Sequence, residues 1–563
     1  MADTYTITGS LLDAQTDAPL VGLVVEAHAT EDDQGQRRGS TLTDANGAFD
    51  LTVRTASGEE VPELRLTIYI NGRSDVAHRT DAFRPTDPPH DLGRIRIIPR
   101  RMQRAVPAYI EALGHALPSA SAPSAPAAPF ESRFPELTPH RPPDEVLEHL
   151  GQPDGPMSER RSLWADDSYD SPNLPAGYTF FVQFLCHDLT YELTRRLGTE
   201  RPPNVKGGPS YMRLHSLYGP GPEMAPHLYA FDNRDRFSGR LLAGASGTPQ
   251  DLPRNRQGRA LIADPRNDEN VVLAQLHLGL LHFHNAVADH LDTGTIDGMR
   301  LFARTQQQVR WHYQWAIVHD LLPRLVGPEA VEAALERPLS GTPPTDGLPL
   351  EVAQGVLRYV YSQVRLEYQI NDEETVTLLP EPEGPQALVR QSATPIPSHL
   401  AVDWSHFFEL DGPPQSSKLI DTKIAPAFLD LPLVDDPRPA RRSVAARFLL
   451  QGKAVGLPSG EAVAQALGEP AALSTTSALR RLGLEATPLL YYVLAEAEHQ
   501  YEDTGVDRLG PVGSRLLTDA LIRRLRLDPR SYLNANPDFT PLDAATDEDG
   551  TFAVGTLVTA GTS

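Results

Sequence analysis

The spacing of hydrophobic residues changes near residue 130 of the chain. Before it, short alternating or β-branched runs lie at residues 4–9, 23–25 and 64–70, and turn-forming residues such as those at 44–47 separate them. Regular short strands of this kind are typical of a β-sandwich. After it, apolar residues recur at helical spacing over residues 270–290, 298–326, 350–367 and 488–500. We therefore predict a multidomain chain, with a mainly α-helical domain preceded by a small all-β sandwich domain.

A segment rich in Ala, Ser and Pro lies between the two patterns, at residues 116–129. It has little to bury, which is typical of an extended linker. The predicted boundaries are 1–100 for the sandwich, 101–130 for the linker and 131–560 for the helical domain. The first region is similar to transthyretin-like and carboxypeptidase-regulatory-like domains, and this resemblance implies binding of a protein partner.

Composition narrows the function classes. The 563 residues carry a net charge of −23, which argues against nucleic acid and anionic membrane as partners. No run approaches about 18 uninterrupted apolar residues, so we expect no membrane span. The start of the chain shows no basic and apolar leader, and its single cysteine, Cys186, excludes internal disulfides. We expect a cytoplasmic protein.

The apolar segment 180–190 contains two polar residues that carry candidate chemistry. On a helix, Gln183 and His187 share one face. A buried histidine beside a polar group is a candidate for proton transfer, because its pKa lies near neutrality. A hydrogen-bonded core histidine is the alternative. A second segment, with Arg266 and Glu269 three positions apart, favours the proton-transfer role over the core histidine.

Together these segments resemble the animal-type haem peroxidase superfamily, which includes peroxidasins, myeloperoxidase-like enzymes and cyclooxygenases. The resemblance covers about residues 130–540 and fits bacterial members best. Its motifs here are Val182-Gln183-Phe184-Leu185-Cys186-His187-Asp188, Arg266 with Glu269, His284-Asn285, and the segments 310–315, 421–423, 456–460 and 508–515.

The resemblance implies a haem cofactor and a catalytic role for three residues. His187 would move a proton between the oxygens of a peroxide, Arg266 would stabilise the departing oxygen, and Gln183 would orient water. A salt bridge with a neighbouring carboxylate is the alternative for Arg266. Glu269 matches a position that can form an ester to a haem methyl, with an ion pair as its alternative.

Two positions near His187 depart from the family. Cys186 stands where many animal members have an aspartate, so it is a buried filler, a thioether link to haem or a redox-sensing thiol. Asp188 matches a calcium ligand, but Arg213 and His215 occupy positions where further oxygen ligands belong. We expect no bound calcium, with Arg213 or His215 pairing with Asp188 instead.

The residue at the position of the family's iron ligand also differs from the family. Tyr361 falls where the family has its proximal histidine, and Phe448 falls where an asparagine would accept that histidine's second N–H. In one interpretation Tyr361 ligates haem iron as a phenolate, with Arg358 and Arg365 lowering its pKa. In the other, Tyr361 fills the core of a domain that has lost haem.

Two functions follow. The first is a haem-dependent peroxidase-like or catalase-like oxidoreductase, which uses hydrogen peroxide or an organic hydroperoxide with a small reducing substrate in the response to oxidative stress. The second is a catalytically silent pseudoperoxidase that acts as a scaffold or interaction protein. Fatty-acid oxygenation is disfavoured, because Arg358 stands where a radical-forming tyrosine would be needed.

Overall fold

A computed structural model describes most of the chain. The described residues are 4–13, 19–20, 23–30, 37–44, 46–54, 63–70, 75–85, 89–97, 131–197, 212–232, 236–244, 248–339, 348–379, 387–389, 394–431, 438–470, 477–547 and 550–560.

The chain divides into two compact units. One comprises Met1–Val106 with Thr375–Gln391, and the other comprises Pro107–Glu374 with Ser392–Ser563. The predicted linker at 101–130 lies outside the described residues, and the predicted domain boundaries stay predictions.

The first unit contains two sheets. Its strands are β1 (Thr4–Asp13), β2 (Val24–Ala29), β3 (Arg37–Leu42), β4 (Ala48–Arg54), β5 (Leu64–Ile70), β6 (Asp75–Arg79) and β7 (His90–Ile97). One sheet has the order β4-β1-β7, with β1 antiparallel to β4 and parallel to β7, and the other has the order β3-β2-β5-β6. Both sheets contribute to a single core that includes Ile7, Val25 and Leu66, because alternate residues of a strand point to the same face. The all-β region is confirmed.

The second unit is mainly helical. Its helices are α1 (Asp144–Gly151), α2 (Arg161–Trp164), α3 (Ala176–Leu197), α4 (His215–Tyr218), α5 (Val271–Leu291), α6 (Gly298–Ala316), α7 (Leu322–Val326), α8 (Pro328–Glu336), α9 (Leu350–Ala353), α10 (Pro439–Arg442), α11 (Val444–Ala454), α12 (Gly460–Leu467), α13 (Ser477–Arg481), α14 (Leu489–Thr504), α15 (Pro511–Leu527), α16 (Tyr532–Ala535) and α17 (Val554–Thr559). The predicted fold class, a helical domain preceded by a small β domain, is confirmed.

Short elements complete the chain. The strands are β8 (Asp170–Pro175), β9 (Tyr229–Phe231), β10 (Phe237–Leu241), β11 (Glu367–Gln369), β12 (Thr375–Thr377) and β13 (Ser416–Lys418). Within the second unit β8 pairs with β13 and β9 with β10, both antiparallel. Single 3₁₀ turns lie at Pro265–Asp268, Val356–Tyr361 and Pro426–Phe428, and a π turn lies at Ile317–Leu321.

One predicted helix is wrong. Residues 350–367 form the short helix α9, then the 3₁₀ segment Val356–Tyr361, and then enter β11. The break falls at Gly355, where an added Cβ would lie 2.3 Å from the carbonyl oxygen of Glu351. Unbroken apolar runs do not distinguish a helix from other buried segments. The helix predicted at 298–326 is interrupted by the π turn, whereas those at 270–290 and 488–500 are confirmed as α5 and α14.

The helix α5 is long and apolar enough to cross a membrane by length and composition alone. Of its apolar window, 83% is buried inside the protein. A core helix of a globular domain has this property as well, because an all-round apolar surface is covered by neighbouring helices.

Candidate functional site

The helix α3 carries the first group of predicted site residues. Gln183 and His187 lie on the same face of it, and their side chains are 1% and 0% exposed. The Oε1 atom of Gln183 accepts a hydrogen bond of 3.3 Å from Nδ2 of Asn270, the residue that caps α5. The helix thus presents both polar side chains to the segment that precedes α5.

A chain of hydrogen bonds fixes the ring of His187. Its Nδ1 atom lies 2.7 Å from Oδ1 of Asn267, and Nδ2 of Asn267 lies 3.0 Å from Nδ1 of His277. An amide oxygen only accepts, so His187 donates through Nδ1. Burial lowers the pKa of His277 to about 4, so that ring is neutral. The network holds His187 in one tautomer and one orientation.

Arg266 is engaged by neighbouring groups. Its Nη2 atom lies 2.6 Å from Oδ2 of Asp264 and donates to the backbone oxygen of His187 at 2.9 Å. Its Nη1 atom donates to the hydroxyl of Thr190 at 2.9 Å. The guanidinium beside Asp264 holds the pKa of that carboxyl below its usual value, although burial opposes this shift. Arg266 therefore ties the segment before α5 to one backbone carbonyl and one hydroxyl of α3.

Two further predicted residues differ in burial. Glu269 is partly buried and directly follows the 3₁₀ turn that contains Arg266. Cys186 is buried, and this burial raises the pKa of its thiol to about 12. A thiol that stays protonated is a poor nucleophile. The packing of Cys186 favours the buried filler among the three interpretations of this residue.

At the predicted calcium position His215 faces Asp188, as predicted for one of the two candidate residues, and its charge opposes the effect of burial on the pKa of that carboxyl. The carboxylate of Asp188 accepts hydrogen bonds from the backbone N–H groups of Leu214 and Ser216, and burial raises its pKa. Arg213 instead pairs with Asp528, with an Nη2–Oδ1 distance of 2.6 Å. Leu214 adopts a left-handed backbone conformation with φ of 56°, and this aims consecutive N–H groups at one anion. Among the described residues, no group of three or more His, Cys, Asp or Glu side chains could hold a metal ion.

Tyr361 lies at the end of the 3₁₀ segment in a packed aromatic cluster. Its ring centroid lies 4.6 Å from that of Phe448 and 5.3 Å from that of Phe428, both edge to face. The Arg358 guanidinium is hydrogen-bonded to the Tyr361 hydroxyl, yet burial raises the pKa of the phenol above its usual value. Arg365 points elsewhere and pairs with Asp170 at 2.9 Å. Of the two predicted arginines, Arg358 is the one that accompanies Tyr361.

These side chains do not accommodate a haem in the arrangement described. A cavity wide enough for a porphyrin would leave the side chains that line it accessible to a water-sized probe. His187 and Tyr361 are both 0% exposed, Gln183 and Arg358 are 1% exposed, and Phe448 is 3% exposed. Protein atoms therefore fill the space next to each of these candidate haem contacts.

Comparisons with known proteins relate part of the helical domain to a known family. Residues 201–458 match the model of the animal haem peroxidase family. The matched range contains Arg266, Tyr361 and Phe448, whereas Gln183 and His187 precede it. The predicted resemblance to this superfamily is confirmed, and at the level of the family it supports a peroxidase-type oxidoreductase and haem binding.

No curated protein matches the chain. Similar solved structures include an alternative pilotin from the type II secretion system of Vibrio cholerae, at 16% identity over 17% of this chain and 95% of that chain, with a TM-score of 0.13. They also include a 9R-lipoxygenase from Cyanothece PCC8801, at 11% identity over 99% of this chain and 89% of that chain, with a TM-score of 0.16.

Two residues that shape the site were missed by sequence reasoning. Asn267 orients His187, and Gln354 accepts a hydrogen bond of 2.8 Å from Nη2 of Arg358. The only local sign that Asn267 contributes to the site is its place directly after Arg266 in the motif. Gln354 is at i−4 from Arg358, a spacing that brings side chains together on a helix.

Proposed function

We propose that the helical domain is a catalytically silent pseudoperoxidase that acts as a scaffold or interaction protein. The observation that carries this proposal is the complete burial of His187 and Tyr361, the two side chains between which a haem would have to lie. A cofactor of that size needs an open pocket lined by apolar groups. In this domain the rings of Phe428 and Phe448 pack directly against Tyr361.

The hydrogen bonds of Arg266 and the pKa of Tyr361 support the same proposal. Stabilising a departing peroxide oxygen requires donors directed at the place where charge develops. The donors of Arg266 that are described above are directed at Asp264, Thr190 and the backbone of α3. A phenolate ligand requires the pKa of Tyr361 to be low, and burial raises it.

A haem-dependent peroxidase or catalase-like enzyme is the second candidate, favoured by one observation. The Arg358 guanidinium lies against the Tyr361 hydroxyl, and a cation in that position stabilises a phenolate. If haem bound, it would supply redox chemistry toward hydrogen peroxide or an organic hydroperoxide. Tyr361 and Arg358 would then hold it on one side, and His187 would move a proton.

In the pseudoperoxidase proposal, the N-terminal β unit contributes the binding of a protein partner. Two sheets that share one core form a stable platform for such binding.

A haemin titration of the full-length chain tests the proposed function. We expect the visible spectrum of added haemin to stay that of the free compound, and peroxidase turnover to equal that of haemin alone. The matched variants are Tyr361→Phe and Tyr361→His. A stoichiometric Soret band with phenolate charge-transfer features that Tyr361→Phe removes would overturn the pseudoperoxidase proposal and support the second candidate.

A further inference from the structure

Three arginine side chains converge on one carboxylate of the helical domain. The Oδ2 atom of Asp519 on α15 lies 2.6 Å from Nη2 of Arg133 and 2.9 Å from Nε of Arg515. Its Oδ1 atom accepts a hydrogen bond from Nη1 of Arg337. Although burial opposes the shift, the guanidiniums of Arg133 and Arg515 hold the pKa of the Asp519 carboxyl below its usual value. Asp519 is therefore an ionised carboxylate that three cations share.

The helix α15 and the end of α8 bring a fourth arginine to the same place. Arg515, Asp519 and Arg526 recur at intervals of four and seven residues, which places them on one face of α15. Arg337 directly follows α8, and Nη1 of Arg526 donates to its backbone oxygen. We refer to Arg133, Arg337, Arg515 and Arg526 as the arginine cluster.

The arginine cluster carries more positive charge than its ion pairs neutralise. Among the described residues, its ion pairs involve two carboxylates, that of Asp519 and that of Glu469, which lies 3.4 Å from Nη1 of Arg515. Four arginines thus share two carboxylates, which leaves an excess of two positive charges. Like charges repel one another, so a local excess of cations in a chain with a net charge of −23 is suited to an anionic ligand.

The arginine cluster also keeps hydrogen-bond donors that its protein contacts do not use. A guanidinium has N–H groups on three nitrogen atoms. Within the described part of the chain, hydrogen bonds engage two of these nitrogen atoms in Arg515 and one each in Arg133, Arg337 and Arg526. The side chains of Arg337 and Arg515 are 27% and 24% exposed, so a small anion can approach them from solvent.

We propose that the arginine cluster binds a small molecule through a phosphate group. A phosphate monoester carries a charge of about −1.5 to −2 at pH 7, which matches the excess of positive charge. A single carboxylate would neutralise about half of it. Guanidinium groups suit phosphate because their planar N–H donors pair with two of its oxygens at once. The proposal goes beyond the proposed function, because it involves neither haem nor a protein partner.

Equilibrium dialysis of the full-length chain against radiolabelled inorganic phosphate and, separately, radiolabelled pyrophosphate tests the proposal. The measurement is made near neutral pH and at constant ionic strength, because salt screens exposed charges. We expect saturable binding that unlabelled pyrophosphate displaces and sodium acetate does not. Binding of both probes would assign a single phosphate group as the ligand, and binding of pyrophosphate alone would assign a diphosphate group; either result supports the proposal.

Substitutions in the arginine cluster distinguish an anion site from a network of ion pairs that only stabilises the fold. Arg337→Gln and Arg515→Gln should each weaken binding about 10- to 100-fold, as expected for loss of a hydrogen bond between charged groups. Each leaves Asp519 with two arginine partners, so both variants should fold. Asp519→Asn should strengthen binding, because it removes the carboxylate that competes with the ligand for the same donors.

Arg300→Gln is the matched control, because it makes the same change of charge at a side chain that is 82% exposed and paired with Asp297. It should leave the affinity unchanged. Thermal melting of each variant verifies folding. Absence of binding of either probe to the native chain, equal displacement by acetate and pyrophosphate, or unchanged affinity in folded Arg337→Gln and Arg515→Gln variants would each overturn the proposal.

Discussion

Replacing Glu496 with glutamine is expected to remove a pH dependence from the stability of the helical domain. Glu496 lies on α14 and is 1% exposed. Its Oε2 atom accepts backbone hydrogen bonds from Val512 at 2.8 Å and Gly513 at 3.4 Å, in the first turn of α15. Its Oε1 atom has no partner among the described residues. Burial raises the pKa of this carboxyl to about 7.

The direction of this pH dependence follows from the pKa values of the Glu496 carboxyl in the unfolded and the folded chain. Below about 4.5 the carboxyl is protonated in both the folded and the unfolded chain, and the full contribution to stability is present. As the pH rises from about 4.5 to about 7, the unfolded chain loses its proton first, so the free energy of unfolding decreases. A difference of about 2.5 pKa units corresponds to about 3 kcal/mol, lost by pH 8.

Urea denaturation followed by circular dichroism at pH 5, 6, 7 and 8 measures this effect. The Glu496→Gln variant keeps an oxygen acceptor for Val512, so its advantage over the native chain should grow with pH to about 3 kcal/mol. Glu502→Gln, on the same helix with a 70% exposed side chain, should show no such trend. Parallel pH profiles for the native chain and Glu496→Gln would refute the reasoning.

Two further substitutions test the packing around the site, each by chemical denaturation. Gly510→Ala should cost about 1–3 kcal/mol of unfolding free energy, because the new methyl would lie 2.2 Å from the Cγ atom of Glu496. Gly412→Ala, with open space around it, is the control. Equal stabilities of the two variants would contradict the steric argument. Arg266→Gln should cost about 3–5 kcal/mol by leaving the buried Asp264 unpaired; the exposed Arg300→Gln should cost under about 1 kcal/mol, and a similar small loss for Arg266→Gln would show that the ion pair contributes little.

The spacing of apolar residues predicted those helices that have a regular apolar period and a capping residue at the start. The helix α5 begins after Asn270, whose side chain accepts a hydrogen bond from the backbone of Leu273, and the predicted and observed limits differ by one residue. The segment after Pro349 was mispredicted because its apolar residues form a continuous run. Tertiary packing contributes at Gly355, where an added Cβ would lie 3.0 Å from Cδ2 of Leu489 on α14.

The sequence by itself determined the fold class, the resemblance to the animal haem peroxidase family and the positions of Gln183 and His187 on one helix face, because periodicity and motifs depend on neighbours along the chain. Only the tertiary structure decided that Arg266 donates to the backbone oxygen of His187, that Asn267 fixes His187, and that aromatic rings fill the space beside Tyr361. Those contacts join residues far apart in sequence, and the volume between packed segments depends on every side chain that reaches it.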